Sequence, residues 1–198
     1  AFILAIGLSG CIPSLVLTGA TATGVVAAQE RSAGNAVDDA GIKITIYNLY
    51  VRKDIGDLFK NVTVRVTEGR VLLTGNVDKP ETSVEAVKLA WHAAGVREVI
   101  NEIQVNDRTG IADYARDGWI ATQVRAKLLL EKNVRSINYS VEVVNNVVYL
   151  MGIAQDAEEL RKATYLASIT PYVKQVVSHV VLKDDQRRRL GLNQQENN

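Results

Sequence analysis

The sequence predicts an α+β fold built from two tandem copies of one small domain. The segment at residues 70–77 (RVLLTGNV) recurs seventy-seven positions later at residues 147–154 (VVYLMGIA), and the match continues without a gap to Val105 and Leu182. Repetition at a fixed spacing indicates repeated structural units, and 198 residues are enough for two domains of about 70 residues each. Patterns typical of helices and strands alternate within each copy in the order helix, strand, strand, helix, strand. Each copy is therefore predicted to form a three-stranded mixed sheet packed against two helices.

The helices are predicted from apolar residues that recur three and four positions apart. The first domain is predicted over residues 38–106, where Asp38 or Asp39 caps the first helix and Gly95 ends the second. The second domain is predicted over residues 113–183, with the same two helices. The inner faces that these patterns define are Ile42, Ile46, Tyr50, Ala86, Leu89, Ala90 and Ala93 in the first domain, and Ile120, Val124, Leu128, Ala163, Leu166 and Ala167 in the second.

The strands are predicted from apolar residues that alternate with polar ones. In each domain, the first two strands are joined by a two-residue turn, at residues 68–69 (Glu-Gly) and 145–146 (Asn-Asn), because Gly and Asn tolerate positive φ. Gly75 and Gly152 follow the alternating runs and fit no phosphate-binding loop, so both are interpreted as the ends of strands.

Two polar segments lie outside the predicted domains. Residues 106–113 form a linker short enough for the domains to pack or to hinge. Residues 184–198 are predicted to be a disordered tail. Within this tail, residues 187–189 (Arg-Arg-Arg) are interpreted as a solvated basic cluster, with contact to anionic lipid as the alternative.

The N-terminus has the pattern of an exported, lipidated protein. Residues 1–10 form a short apolar run ending in small residues, which is typical of the remnant of a signal peptide. Residues 8–11 (Leu-Ser-Gly-Cys) resemble the lipobox of bacterial lipoproteins, in which the cysteine, here Cys11, becomes the lipidated first residue. In such lipoproteins Ile12, in place of Asp, favours the outer membrane over the inner one.

Residues 11–37 are accordingly predicted to be a lipidated tether, which acyl chains would anchor stably. One alternative is an incidental buried cysteine. Another is a transmembrane helix over residues 2–28, which is long enough but is interrupted by Pro13 and several glycines.

Composition excludes several classes of protein. The net charge is +1 and 23% of the residues are charged, so the chain lacks the broad basic face of a nucleic-acid-binding protein, and we expect no nucleic-acid partner. A single cysteine forms no internal disulfide and supports no zinc site built on several thiolates.

The chain contains several short motifs: residues 29–32 (QERS), 37–39 (VDD), Gly75, 95–96 (GV), 101–103 (NEI), 119–122 (WIAT) and 148–152 (VYLMG). These motifs resemble those of the BON domain, and their order behind a lipobox resembles the dual-BON outer-membrane lipoproteins of the DolP type. The resemblance covers residues 28–183. It implies a lipid-anchored protein on the periplasmic face of the bacterial outer membrane. Such a protein binds anionic phospholipid through its second domain and maintains outer-membrane integrity, often at the division site. It also implies links to the outer-membrane protein assembly machinery.

The outer face of the second domain's first helix is the candidate functional surface. Four residues between Trp119 and Leu130 fall within about 40° of one another, on the side opposite the core residues. Residues 119–135 also carry four basic side chains and one acid, Glu131. Tryptophan suits a bilayer interface, and each nearby cation adds about 1 kcal/mol near an anionic surface. The predicted lipid-binding residues are Trp119, Gln123, Arg125, Ala126, Lys127, Leu130, Lys132 and Arg135.

The two domains differ at this surface. The corresponding positions in the first domain are Gly41, Thr45, Asn48 and Arg52, none of which is aromatic or apolar. Lipid binding is therefore predicted for the second domain alone.

The alternative role for Trp119 is packing against the first domain or the linker, near Ile111 and Tyr114. Trp91 also lies off the inner face of its helix, and it is predicted to serve domain packing or a partner contact in preference to membrane contact. The alternative function for the whole chain is a lipid-anchored interaction module that self-assembles into a homo-oligomer.

Catalysis finds little support in the sequence. His92 and His179 stand apart from any pattern that makes a metal pair or a catalytic base, and both are interpreted as structural. Residues 158–159 (Glu-Glu) are interpreted as part of a solvated helix turn. We therefore expect a protein that is not an enzyme, with no cofactor and no metal.

Overall fold

The structure is a computed structural model that describes residues 33–53, 58–106, 110–186 and 188. The predicted lipidation site Cys11, the signal-peptide remnant and the tether up to residue 32 lie outside the described residues. Residues 33–37, which were predicted to belong to the tether, are part of the first helix.

Both domains have the predicted element order. The first contains α1 (Ala33–Lys53), a short α2 (Leu58–Asn61), β1 (Val62–Thr67), β2 (Arg70–Val77), α3 (Pro80–Trp91) and β3 (Glu98–Val105). The second contains α4 (Ile111–Leu130), a 3₁₀ turn (Ser136–Asn138), β4 (Tyr139–Val144), β5 (Val147–Ala154), α5 (Ala157–Ser168) and β6 (Gln175–Leu182).

Each sheet is mixed, as predicted. In the first domain the central strand β2 pairs antiparallel with β1 and parallel with β3. In the second domain β5 pairs in the same way with β4 and β6. The two helices of each domain cover one face of its sheet, and their predicted inner residues form the two main cores, with Ile46 and Val124 fully buried. The α+β fold of two tandem αββαβ units is confirmed.

The prediction that Asp38 or Asp39 caps the first helix is wrong, because α1 already runs from Ala33. The Asp39 carboxylate is buried and accepts hydrogen bonds of 2.9 Å from the backbone N–H groups of Glu68 and Gly69. Asp39 therefore ties α1 to the turn between β1 and β2. The two turn residues have φ values of 52° and 72°, as the two-residue turn requires.

Gly75 and Gly152 lie inside β2 and β5, so their interpretation as strand ends is wrong. Their φ values are +135° and +150°. A Cβ atom at either position would lie 1.9 Å from a backbone carbonyl oxygen, that of Asn61 or Asn138 respectively. Glycine is therefore required at both positions, because the backbone just before β1 or β4 lies against the central strand of its sheet.

The domains pack sheet against sheet, through the faces that their helices leave uncovered. A third apolar core fills this interface, and Leu72 and Tyr149, which occupy equivalent positions in the repeat, both belong to it. Its residues are Leu72, Val144, Tyr149 and Met151, with Ile100, Val147 and Val177 packed against them. The order of layers is therefore helices, sheet, sheet, helices.

Ionisable residues at equivalent positions of the repeat meet across this interface. Arg65 Nε lies 2.6 Å from Glu142 Oε1, and His179 Nε2 lies 2.8 Å from Glu102 Oε1. In both pairs the residues are seventy-seven positions apart. Contacts between equivalent residues are what a twofold axis between two copies produces. The chain therefore resembles a covalently joined dimer in which equivalent positions of the two copies have acquired complementary side chains.

A residue of the predicted tail also connects the domains. Arg188 is buried, and its guanidinium donates two hydrogen bonds of 2.8 Å to the Glu68 carboxylate in the first domain. It also donates to the carbonyl of Lys183. The interpretation of residues 187–189 as a solvated basic cluster is therefore wrong for Arg188.

Candidate functional site

Helix α4 directs Trp119 and Leu130 away from the core of the second domain. Ile120, Val124 and Leu128 face the sheet and are buried, as the sequence predicted. Trp119 remains 43% exposed and Leu130 is 81% exposed. The indole is therefore accessible from outside, and it is not covered by the first domain, which lies on the opposite side of the second sheet.

The Asp117 carboxylate fixes the position of α4 over its sheet. It accepts hydrogen bonds of 2.7 Å from Asn145 N–H and 2.8 Å from Asn146 N–H, in the turn between β4 and β5. This repeats the arrangement of Asp39 in the first domain. Because Asp117 points inward, Trp119, two positions later on the helix, is turned outward.

Tyr172 is a second aromatic residue of the site, and sequence reasoning missed it. Its ring lies 5.7 Å from that of Trp119 in an edge-to-face arrangement with an interplanar angle of 70°. The tyrosine is 66% exposed. Edge-to-face aromatic pairs of this kind are favourable by about 0.5–1.5 kcal/mol.

The backbone of Tyr172 is strained. Its φ is +68°, which costs a bulky residue about 1–2 kcal/mol. The equivalent residue in the first domain is Gly95, with a φ of +89°. The prediction that Gly95 ends the second helix is wrong, because α3 ends at Trp91 and Gly95 lies in the turn that follows. The second domain therefore places a tyrosine where the fold favours glycine, and strain of this kind concentrates at functional sites.

The loop that carries Tyr172 is held by hydrogen bonds against α4 and against the turn between β4 and β5. Lys127 Nζ donates to the Ile169 carbonyl at 3.1 Å, and Asn146 Nδ2 donates to the Tyr172 carbonyl at 3.0 Å. Together the helix and the loop carry a group of mostly apolar, exposed or half-exposed residues, which we call the aromatic face. It consists of Trp119, Gln123, Ala126, Leu130, Ile169 and Tyr172.

The cations around the aromatic face are less free than the sequence suggested. Arg125 donates a 2.5 Å hydrogen bond to the Val141 carbonyl and lies 3.9 Å from the Glu142 carboxylate. The ammonium group of Lys127 is engaged by the loop. Lys132 and Arg135 are exposed beyond the end of α4. The positive charge is therefore concentrated at the C-terminal end of the helix.

The acid in this segment is neutralised locally. Glu131 forms a 3.0 Å ion pair with Lys162 on α5. Hydrogen bonds from Lys162 and from the backbone N–H of Asn133 hold the pKa of Glu131 below its usual value. Glu131 therefore adds little repulsion toward an anionic surface.

The first domain also exposes apolar residues on its first helix, which corrects the predicted contrast between the domains. Val37, Ile44 and Val51 of α1 are 72%, 60% and 56% exposed. These residues lie beside the positions of α1 that correspond to the outer face of α4, which are Gly41, Thr45, Asn48 and Arg52. The asymmetry between the copies is therefore one of aromatic residues and not of apolar exposure.

The other candidate residues have structural surroundings. Trp91 is 51% exposed on the helical side of the first sheet, so the predicted packing between domains is not its role. His92 Nδ1 contacts the carbonyl of Lys88 at 2.7 Å, one turn earlier in the chain. His179 belongs to the interface between the domains. In the described residues, groups of three or more possible metal ligands are absent. Within that same part of the chain, helices long and apolar enough to cross a membrane are absent too.

Comparison with known proteins identifies the fold. The BON domain family matches residues 38–107 and 116–184. A protein encoded in the gshII 5′ region of Anaplasma centrale is 42% identical over 154 residues, which cover 77% of this chain and 100% of that protein. The outer membrane lipoprotein DolP of Haemophilus influenzae is 31% identical over 171 residues, covering 86% of this chain and 87% of DolP. The 21 kDa hemolysin of Actinobacillus pleuropneumoniae is 33% identical over 129 residues, covering 65% and 66% of the two chains.

The two matched segments coincide with the two αββαβ units and together span most of the chain. The chain therefore belongs to the BON-domain family. Its similarity to DolP over most of both sequences makes it a dual-BON protein of the DolP type.

Proposed function

We propose that this protein is a lipid-anchored component of the bacterial outer membrane that faces the periplasm and binds anionic phospholipid without catalysis. In this role it supports outer-membrane integrity, including at the division site, and works alongside the outer-membrane protein assembly machinery. The lipobox ending in Cys11 and the similarity to an outer membrane lipoprotein support the location. The aromatic face supports the binding.

The pair of exposed rings, Trp119 and Tyr172, is the observation that carries this proposal. A strained tyrosine beside an exposed tryptophan gives the fold no evident gain in burial, but it suits the interface of a bilayer, where aromatic rings are favoured. Lys132 and Arg135 lie at one end of the same surface and each adds about 1 kcal/mol near anionic lipid. Such binding is weak, and the acyl anchor compensates by raising the local concentration at the membrane.

The test is binding of the Cys11→Ser chain, which lacks the acyl anchor, to vesicles containing phosphatidylglycerol, with phosphatidylcholine vesicles as the reference. Trp119→Glu is expected to weaken binding by about 2 kcal/mol, or about thirtyfold, because it removes the inserted ring and adds an anion. Trp91→Glu is the matched control, since Trp91 is similarly exposed on the first domain. Equal binding by the two variants would refute the assignment to the aromatic face.

Tyr172→Gly separates binding from stability. Glycine relieves the positive φ, while losing the contact with Trp119 and restoring chain entropy to the unfolded state, so these effects nearly cancel. We expect the free energy of unfolding to change by less than about 1 kcal/mol. Vesicle binding should fall, because an exposed ring is lost. Unchanged binding would show that Tyr172 serves only the loop.

A further inference from the structure

Helix α1 carries an exposed apolar row that the lipid-binding proposal does not use. Val37, Ile44 and Val51 are spaced seven residues apart and are mostly exposed. Over the 21 residues of the helix, this row spans about 21 Å at 1.5 Å per residue. Spacing by seven keeps β-branched residues along one seam of a helix that pairs with another helix.

Gly41 lies beside this row and faces open space, with nothing within 4 Å of the position that a Cβ would take. Glycine inside a helix costs about 1 kcal/mol relative to alanine. Contacts within the described residues do not explain why a glycine stands at position 41 of this helix. Small residues on a helix surface allow a second helix to approach closely.

The row is also symmetric about its centre. Val37 and Val51 each lie seven residues from Ile44, so an antiparallel copy of α1 would place Ile44 on the partner's Ile44 and Val37 on the partner's Val51. The neighbouring row of Asp38, Thr45 and Arg52 has the same spacing.

In such a pair the acid at one end of α1 meets the base at the other. Asp38 would lie opposite the partner's Arg52, and the helix dipoles would run in opposite directions. Lys43, the cation nearest the centre, would add little repulsion, because its ammonium group is directed toward the ring of Tyr47, 5.8 Å from the centroid.

We propose that the exposed row of α1 is a self-pairing surface, through which two copies of this chain associate by antiparallel contact of their first helices. The partner is a second copy because both the apolar row and the charged row are complementary to themselves. The row lacks the aromatic residues that are favoured at a bilayer interface, so a membrane is the less suitable partner. The surface is small, which makes the pair weak and reversible. This inference concerns the first domain and does not depend on lipid binding by the second.

Disulfide crosslinking tests the proposal directly. In the Cys11→Ser chain, Ile44→Cys places one thiol at the symmetry axis, where two copies bring their thiols together. Val84→Cys is the matched control, because Val84 is similarly exposed on α3. Under mild oxidation, dimer is expected for Ile44→Cys and not for Val84→Cys. Adding Arg52→Glu should reduce crosslinking about tenfold, because symmetry turns two attractive pairs into repulsive ones.

Sedimentation equilibrium of the Cys11→Ser chain, without engineered thiols, gives an independent measurement. Self-association that is abolished by Ile44→Lys and retained in Val84→Lys supports the proposal. Equal crosslinking at positions 44 and 84, or sedimentation as a monomer at every concentration, would overturn it. A fluorophore on Ile44→Cys that becomes buried only when phosphatidylglycerol vesicles are added would also overturn it and assign the row to the membrane.

Discussion

Reversing one charge at the interface between the domains should destabilise the whole protein, and reversing its partner should partly restore it. Arg65 and Glu142 form a 2.6 Å ion pair whose side chains are 33% and 15% exposed. This burial lies between that of surface pairs, which contribute less than about 1 kcal/mol, and that of fully buried pairs, where removing one partner costs about 3–5 kcal/mol. Arg65→Glu is therefore expected to lower the free energy of unfolding by about 2–3 kcal/mol.

The double variant Arg65→Glu/Glu142→Arg restores opposite charges, but it brings the new arginine near Arg125. In the native protein Arg125 lies 3.9 Å from the Glu142 carboxylate. We therefore expect the double variant to recover about half of the loss; with a similar loss for Glu142→Arg alone, the coupling energy is about 3–4 kcal/mol. Urea unfolding of the four proteins of the cycle measures this energy.

The matched control is the exposed pair of Arg116 and Asp113, which are 3.0 Å apart on the surface of α4. Its coupling energy is expected to be below about 0.5 kcal/mol. A coupling energy for Arg65 and Glu142 no larger than that of the control would refute the view that charge complementarity holds the two sheets together. Arg65→Glu should also separate the unfolding of the two domains into distinguishable steps, since their shared core then forms less readily.

Three further predictions concern residues that organise the fold. Gly152→Ala should lower the free energy of unfolding, measured by thermal unfolding, by more than about 3 kcal/mol, because the new Cβ would lie 1.9 Å from the Asn138 carbonyl oxygen. Gly118→Ala, on the open side of α4, should instead raise it by about 1 kcal/mol. Equal effects at the two glycines would contradict the proposed backbone approach. Asp117→Ala should lower the free energy of unfolding, measured with urea, by about 2–3 kcal/mol, since one buried and one half-buried backbone N–H group lose a charged acceptor. A loss below about 0.5 kcal/mol would argue against this role. Arg188→Ala should lower the free energy of unfolding by about 3–5 kcal/mol, because it leaves the buried Glu68 carboxylate without its ion-pair partner. A chain ending at residue 186 should lose nearly as much in the same urea assay. An unchanged unfolding midpoint would mean that this ion pair is not kept in solution.

The sequence predicted the two main cores well because their contacts repeat at helix and strand periods. Ile46 and Val124 are examples, since neighbours at three and four positions mark each of them as an inner residue. The third core carried a weaker indication. The run of apolar residues in β2 includes Leu72, which faces the other sheet, and continuous apolar strands are typical of sheets covered on both faces.

Other features depend on partners far away in the chain and have no local pattern. Asp39 looks like a helix cap from its neighbours, but its partners are in a turn about thirty residues later. Arg188 looks like part of a solvated cluster until its contact with Glu68 is known. Tyr172 could have been found, because the repeat aligns it with Gly95, and a tyrosine aligned with glycine indicates a position with an additional role.

Lipid binding by the aromatic face is tested most directly by a residue-resolved NMR titration of the anchor-free chain with anionic micelles. We expect chemical shifts to change around Trp119 and Tyr172, over residues 117–135 and 169–174, and the first domain to remain nearly unaffected. Changes centred on α1, with the signals of Trp119 and Tyr172 unmoved, would contradict it.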